Sequence, residues 1–315
     1  MIKGAAHPRF EIVRMMSQRP ENTLSIKELC NIARVSRSGY YSWLKALPLK
    51  ELREERDRND YKLIVEAYKY KGYDKGRRGI YMRLLHMGVL MNIKKISRLM
   101  KKYGLRCPIR KANPYRRMVK AMRTDSVSPN IVNREFEEHG PRKILLTDIT
   151  YIPVENHFFY LSVIIDAFTK QVLSYVLSDS LELDFVLLTV EQLIDVYGDE
   201  IRTDCLLHSD QGCHYTSIKF RQLLSDAGLR QSMSRRGNCW DNAPQESFFG
   251  HMKDELSKER KTWYCFDDVK VSINRWMDYY NNDRYQWDLA KLSPNEYYNY
   301  ITTGEYPAEM YVAKN

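Results

Sequence analysis

The chain has 315 residues and a mass of 37.4 kDa, and 43% of its residues are hydrophobic and 12% aromatic. This composition excludes a disordered or low-complexity protein, and the length predicts two or three domains. The formal net charge of +10 is divided unevenly, because residues 1–125 hold 31 Lys and Arg against 11 Asp and Glu, whereas residues 126–315 hold 19 against 29. The basic half predicts a polyanionic partner, above all nucleic acid, and the acidic half keeps its carboxylates for another purpose.

Neither a signal peptide nor an apolar stretch long enough to cross a membrane is found in the sequence, so we expect a cytoplasmic protein without a membrane partner. Its cysteines form no CxxC pair and have no regular spacing, which favours reduced thiols. One cluster offers four ligands of the zinc-binding type, but its spacing matches no zinc finger, and strand and loop chemistry explains the segment better. This cluster consists of Cys205, His208, Cys213 and His214.

The N-terminal segment, residues 1–47, has the spacing of a helix-turn-helix module. Residues 25–44 predict a short helix, a turn and a second helix, and we select Arg37 and Tyr40 as candidate DNA contacts. A plain helical hairpin is the alternative. Residues 48–71 mix charges of both signs around one apolar stripe, which predicts a solvated helical spacer.

A second helical module is predicted over residues 72–105. Its last helix begins after Asn92, a suitable N-cap, and ends near Gly104. Nearly all of its charges are positive and lie outside the apolar face, which predicts contact with DNA phosphates, although a solvated charged face is the alternative. The candidate contacts are Lys94, Lys95, Arg98, Lys101 and Lys102.

Residues 106–140 combine prolines with many Lys and Arg residues and predict a basic linker. The pattern then changes, since residues 144–179 contain three segments rich in β-branched and aromatic residues, as in a three-stranded meander. Helical and strand patterns alternate after this meander. We therefore predict a layered α/β domain with a mixed sheet and flanking helices over residues 141–285, and a C-terminal tail over residues 286–315.

Two acidic residues occupy predicted strands. Asp148 interrupts an apolar strand, where a buried charge costs several kcal/mol unless a partner or metal ion compensates. Asp210 follows the apolar segment CLLHS at the end of another strand. Acids on neighbouring strands repel each other, and hard oxygen ligands favour two divalent ions, Mg²⁺ or Mn²⁺, ~3.5–4 Å apart, as in phosphodiester chemistry. Turn chemistry explains the other acids near strand ends, which are Asp166, Asp179, Asp184 and Asp204.

A third metal ligand is expected on a helix that follows a loop. Pro244 suits the first turn of a helix that carries Glu246, and 35 residues separate Glu246 from Asp210. Lys253 lies two helical turns beyond Glu246 and shares its face, so it can contact a phosphate of the same DNA strand.

The loop before this helix combines positive charge, amide donors and an aromatic plane. Such a composition suits a distorted or single-stranded DNA end. In the alternative interpretation, the tryptophan packs against the core and the arginines are solvated. The candidate DNA contacts in this loop are Arg235, Arg236, Asn238 and Trp240.

Three separated motifs resemble the catalytic signature of bacterial insertion-sequence transposases of the insertion-sequence-three family. They are TDITY around Asp148, HSDQG around Asp210 and SMSRRGNCWDNAPQESFFG around Glu246, with Lys253 following. The segments RSGYYSW, NIKKISRLMKKYGL and YYNNDRYQWDLAKLSPNEYY are similar to this family as well, so the resemblance covers almost the whole chain. Three motifs with this spacing are far more specific than an isolated SDQG.

The resemblance implies a ribonuclease-H-like core of the retroviral integrase type, with Asp148, Asp210 and Glu246 as catalytic metal ligands. It implies a transposase that binds element ends, cuts one strand and uses the 3′-hydroxyl to attack another phosphodiester. The N-terminal half lacks the paired His and Cys zinc site of the retroviral relatives, so helix-turn-helix modules are expected there.

The resemblance also implies partners. They are transposon-end and target DNA, further copies of the chain, and an upstream-frame protein or a frameshift fusion with it, in the cytoplasm of a bacterium and at its nucleoid. Two other functions remain open. One is a metal-dependent nuclease with the same core, in which water attacks, and the other is a DNA-binding regulator with an inactive core, against which the intact acids argue.

Overall fold

The structure is a computed structural model, and it describes residues 6–73, 75–107, 140–201, 205–233 and 243–307. The chain divides into two compact units, residues 1–65 and residues 66–315. Most of the predicted basic linker lies outside the described residues. No helix in the described ranges is long and apolar enough to cross a membrane.

The N-terminal unit is helical. Its elements are α1 (Ala6–Ser17), α2 (Ile26–Ile32) and most of α3 (Arg37–Lys69). Ser25 caps α2, since its hydroxyl accepts from the backbone of Glu28 and the Glu28 carboxylate accepts from the Ser25 N–H. The predicted boundary between residues 47 and 48 lies inside α3, which runs without a break through the Glu-, Arg- and Lys-rich segment because these residues favour helix.

The core of this unit corrects one predicted DNA contact. The ring of Tyr40 lies against Phe10 and Trp43 and is only 2% exposed. Tyr40 is therefore a core residue, because its ring fills the space between α1 and α3, where no DNA can reach it. Arg37, at the first turn of α3, is exposed.

The second unit begins with two short helices, α4 (Arg77–His86) and α5 (Ile93–Lys102). The side chain of Asn92 caps α5 by accepting from the Lys94 N–H at 2.8 Å. Ile96 and Leu99 are fully buried, whereas the basic residues of α5 lie outside this face. Of these, Lys94, Arg98, Lys101 and Lys102 are exposed and Lys95 is half-buried.

The remaining elements form an α/β layer structure. Its strands are β1 (Ile144–Val154), β2 (His157–Asp166), β3 (Val172–Ser178), β4 (Leu206–Ser209) and β5 (Arg230–Met233). Its helices are α6 (Asp184–Tyr197), α7 (Cys213–Thr216), α8 (Ile218–Asp226), α9 (Ala243–Glu255), α10 (Phe266–Asn282) and α11 (Pro294–Thr303), with a 3₁₀ turn at Glu259–Thr262.

The sheet has the strand order β3-β2-β1-β4-β5. Strands β1, β2 and β3 form the predicted antiparallel meander, and β4 and β5 run parallel to β1. One face is covered by α9 and α10 through Phe248, Met252 and Trp276, and the other by α6 and α8 through Val190 and Phe220. The predicted fold class, helices followed by a mixed sheet with flanking helices, is confirmed.

The helices before the sheet and the helix after it both pack on this domain. The ring of His86 on α4 stacks on Tyr285 at 3.6 Å, and Arg83 donates to the Tyr285 hydroxyl. Within the predicted C-terminal tail, α11 is tied to the sheet because Asn295 accepts from the side chain of Gln171 at 2.8 Å. The contacts with Tyr285 hold α4 against the segment between α10 and α11, and the bond to Asn295 holds α11 against the turn between β2 and β3.

Candidate active site

Asp148 and Asp210 lie on neighbouring parallel strands. Leu146 of β1 pairs with His208 of β4, so continuing this register by two residues sets Asp148 opposite Asp210, just beyond the end of β4. Neighbouring strands lie ~4.8 Å apart. Asp148 is half-buried and Asp210 is exposed, so the two carboxylates mark a boundary between the sheet and solvent.

Local hydrogen bonds orient both carboxylates. An oxygen of Asp148 accepts from the Ile149 N–H at 2.8 Å, and an oxygen of Asp210 accepts from the Gly212 N–H at 2.8 Å. A Cβ atom at position 212 would lie 2.9 Å from that Asp210 oxygen, which is too close for a side chain. Glycine in the HSDQG motif therefore allows the backbone to approach the acid closely.

The third acid, Glu246, lies in the first turn of α9 and is exposed. The apolar face of α9 packs on the sheet through Phe248, Phe249 and Met252. Lys253 lies two turns after Glu246 and is exposed, although neighbouring groups partly remove its side chain from water. The helix thus carries an acid and a lysine along the edge of the domain that bears Asp148.

Electrostatics link these four side chains. Burial raises the pKa of Asp148 to about 7, and repulsion by Asp210 and Glu246 adds to the rise. The hydrogen bond from Ile149 and the charge of Lys253 oppose it. The three acids and the lysine therefore share one electrostatic neighbourhood.

Lys253 has a second cation beside it. Burial of its side chain lowers the pKa of Lys253, and repulsion by Arg260 lowers it further, while Asp148 opposes both effects. Arg260 lies in the 3₁₀ turn after α9 and donates from Nε to the Pro153 carbonyl at 3.0 Å. Two positive side chains thus line the end of β1 beyond the acids.

Beneath the acids lies Tyr215 of α7, which is 1% exposed. Burial raises the pKa of this phenol, as does repulsion by Asp148 and Asp210. The hydroxyl of Tyr215 therefore stays protonated at every physiological pH, and it adds no negative charge to the neighbourhood of the acids.

The other residues considered as site residues lie in different parts of the chain. Arg235, Arg236, Asn238 and Trp240 lie outside the described residues. Asp166 is fully buried and accepts from the guanidinium of Arg142 and from three backbone N–H groups, as turn chemistry predicts. Among the described residues, no three His, Cys, Asp or Glu side chains lie close enough to enclose an ion as they stand.

The four residues considered as zinc ligands differ widely in their surroundings. Cys205 and His208 are buried in the sheet, and Cys213 is exposed. The Nε2 atom of His214 lies 2.7 Å from the carbonyl oxygen of Leu181. This nitrogen therefore forms a hydrogen bond with the backbone.

Sequence reasoning missed Tyr215, Arg260 and Gln245. Tyr215 follows Asp210 by five residues and Arg260 follows Lys253 by seven. Their short distance along the sequence from predicted site residues was a signal that could have indicated both. Gln245 directly precedes Glu246. Its side chain is fully buried and donates to the Val163 carbonyl on β2, a contact that only the fold reveals.

Comparison with known proteins identifies the domains. Residues 138–239 and 227–294 each match a family model for an integrase core domain, and residues 54–113 match one for an HTH-like domain. The catalytic core domain of BIV integrase is a solved structure with 18% identity that covers 52% of this chain and 99% of that one, with a TM-score of 0.41.

Two curated relatives extend along almost the whole chain. InsK from Escherichia coli K12, named as a transposase of insertion sequence element IS150, is 32% identical, and the match covers 87% of this chain and 93% of InsK. InsF, named as the transposase of insertion sequence IS3A in the same organism, is 26% identical, and the match covers 90% of this chain and 96% of InsF. This chain therefore belongs to the insertion-sequence transposases of the IS3 family, polynucleotidyl transferases with an integrase core domain.

Proposed function

We propose that this transposase cuts DNA at the ends of its element and joins the resulting 3′-hydroxyl to another phosphodiester, through a site that Asp148, Asp210 and Glu246 form together. The observation that carries the proposal is the meeting of two strand acids and one helix acid in a single electrostatic neighbourhood. Such a concentration of negative charge is costly unless a cation accompanies it.

The chemistry of these side chains fits two divalent ions, Mg²⁺ or Mn²⁺. Carboxylate oxygens are the hard ligands that both ions prefer. When bound, a metal pair activates the attacking oxygen and stabilises the leaving oxygen. Because the three acids repel one another, we expect the exposed side chains of Asp210 and Glu246 to turn toward Asp148 only when cations are present.

The protein's own residues would hold and align the DNA. Lys253 lies beside the acids and would bind a phosphate next to the reacting bond. Arg37 and the basic residues of α5 would bind phosphates farther along the duplex, and their exposure supports this role. In the loop before α9, Arg235, Arg236, Asn238 and Trp240 would hold the distorted DNA end.

The assembly would contain several copies of the chain on transposon-end and target DNA, in the bacterial cytoplasm at the nucleoid. Synapsis of two ends requires at least two DNA-bound copies or modules, and a protein from an upstream frame, or a frameshift fusion with it, would add further DNA contacts. Affinity would rise steeply when these modules act together.

The test is strand joining by the purified full chain. The substrate is a duplex oligonucleotide that carries one end of the element encoding this chain, incubated with Mg²⁺ and resolved on a sequencing gel. Asp148→Asn, Asp210→Asn and Glu246→Gln should each abolish cleavage and joining while DNA binding persists, because the basic residues supply most of the affinity. Glu191→Gln, on the exposed face of α6, is the matched control.

Joining that survives any one of the three substitutions would contradict the proposal. Cleavage without joined product, under conditions where the target duplex is bound, would instead assign the site to a hydrolytic nuclease.

A further inference from the structure

The residue before Glu246 connects α9 to the strand that pairs with β1. Gln245 is fully buried, and its Nε2 donates to the Val163 carbonyl at 3.1 Å. Val163 is the residue of β2 that lies directly opposite Asp148 in the β1–β2 register. This hydrogen bond therefore joins Gln245, which precedes Glu246, to Val163, which lies opposite Asp148.

The two ends of the Gln245 amide differ in their partners. Its Oε1 has no hydrogen-bond partner among the described residues. A buried polar atom without a partner costs about 1–3 kcal/mol, whereas Met or Leu would fill a similar volume without that cost.

The other contacts of α9 do not act on its first turn in the same way. Glu255 accepts hydrogen bonds from Trp276 and Arg284, but it lies in the last turn of the helix. Phe248, Phe249 and Met252 hold the helix to the sheet through apolar packing. Apolar packing is not directional, so it resists separation of the helix from the sheet more strongly than a small slide or rotation along it. A hydrogen bond has a preferred length and angle, and the one from Gln245 acts in the first turn, next to Glu246.

We propose that Gln245 is a positioning residue, whose amide fixes the first turn of α9 on β2 and so sets the separation of Glu246 from Asp148. This inference rests on the proposed metal-binding role of the two acids. Metal ligands must be held within about 0.5 Å of the productive geometry, and two ligands on different elements meet this demand only if the elements are locked together.

The experiment uses the full chain with Gln245→Met or Gln245→Leu. Ser247→Ala is the matched control, because Ser247 is exposed on the same turn of α9. Three quantities are measured: the melting temperature without divalent metal, the rise in melting temperature as Mn²⁺ is added, and the Mg²⁺ concentration at half-maximal joining rate. The thermal measurements require no catalysis.

Both Gln245 variants should melt close to the temperature of the wild type without metal, because the loss of the hydrogen bond to Val163 offsets the removal of the unpaired Oε1. The Mn²⁺ concentration for half the thermal shift should rise about tenfold or more, as for other residues that orient metal ligands. The Mg²⁺ requirement for joining should rise in parallel, and Ser247→Ala should match the wild type in all three measurements.

Unchanged metal dependence in folded variants would overturn the inference and leave Gln245 as a packing residue. Failure of both variants to fold would assign the amide to stability and overturn it equally. A wild-type chain that shows neither a Mn²⁺ shift nor joining would instead refute the proposed function, and the role of Gln245 with it.

Discussion

Like charges accumulate in two regions of this transposase, the basic face of α5 and the acid site at the end of β4. On α5 four of the five basic side chains are exposed, so water and salt screen their repulsion and the helix tolerates them at small cost. At the acid site one carboxylate is half-buried, and burial with two acidic neighbours raises the pKa of Asp148 to about 7. Exposed, screened cations suit the binding of a long polyanion. Partly buried carboxylates that repel one another suit the binding of a small, highly charged cation.

The largest expected effect comes from removing the charge of Asp148 in metal-free protein. Because its folded-state pKa lies above the ordinary value of 3.8, this group favours folding fully only below about pH 4, and the contribution is lost as pH rises through 7. Asp148→Asn should therefore raise the free energy of unfolding by up to about 4 kcal/mol at pH 8 in EDTA, and by little at pH 4.

Chemical denaturation of wild type and variant at the two pH values measures this difference. Mg²⁺ should reduce the difference in unfolding free energy between variant and wild type at pH 8, because it should stabilise only the wild type. An equal effect of the substitution at pH 4 and pH 8 would show that the carboxylate is not strained.

A smaller effect is expected from Lys253, the cation within the acid neighbourhood. Lys253→Gln should slow joining by about 100-fold at saturating DNA, because a misplaced phosphate affects the rate of the chemical step more than the affinity. Lys261→Gln, an exposed cation of the following 3₁₀ turn, provides the control. Equal joining rates for the two variants, each melting at the temperature of the wild type, would show that Lys253 has no role in the site.

The smallest effect is expected from removing single exposed cations of α5. Lys94→Gln and Lys101→Gln should each reduce the slope of log affinity against log salt concentration by about 0.9, the value for one lost phosphate contact with duplex DNA. Unfolding free energy should change by less than about 0.5 kcal/mol, because both side chains are exposed. Fluorescence anisotropy with a labelled duplex provides the slopes. An unchanged slope would show that this face of α5 is solvated and does not contact DNA phosphates.

The sequence predicted most of the sheet and selected the three acids as candidates, because both depend on local patterns. The strands of the meander are long and rich in β-branched residues, and each acid stands in a distinctive motif. Strand β5 was not predicted, since its four residues, Arg230–Met233, have no apolar alternation.

One wrong prediction and one omission concern side chains whose roles depend on distant residues. An aromatic residue at position 40 suits either DNA contact or a helical core, and only the packing of Phe10 against Tyr40 decides between them. The hydrogen-bond partner of Gln245, Val163, lies 82 residues away, so no local pattern could have indicated it.

The central claim is that Asp148, Asp210 and Glu246 close around divalent ions. The most direct measurement is anomalous diffraction from crystals of the full chain grown with Mn²⁺. We expect strong anomalous peaks from Mn²⁺ ions that all three carboxylates bind, and we expect these peaks to be absent from Asp148→Asn crystals. Manganese bound at full occupancy elsewhere, with these three side chains still apart, would contradict it.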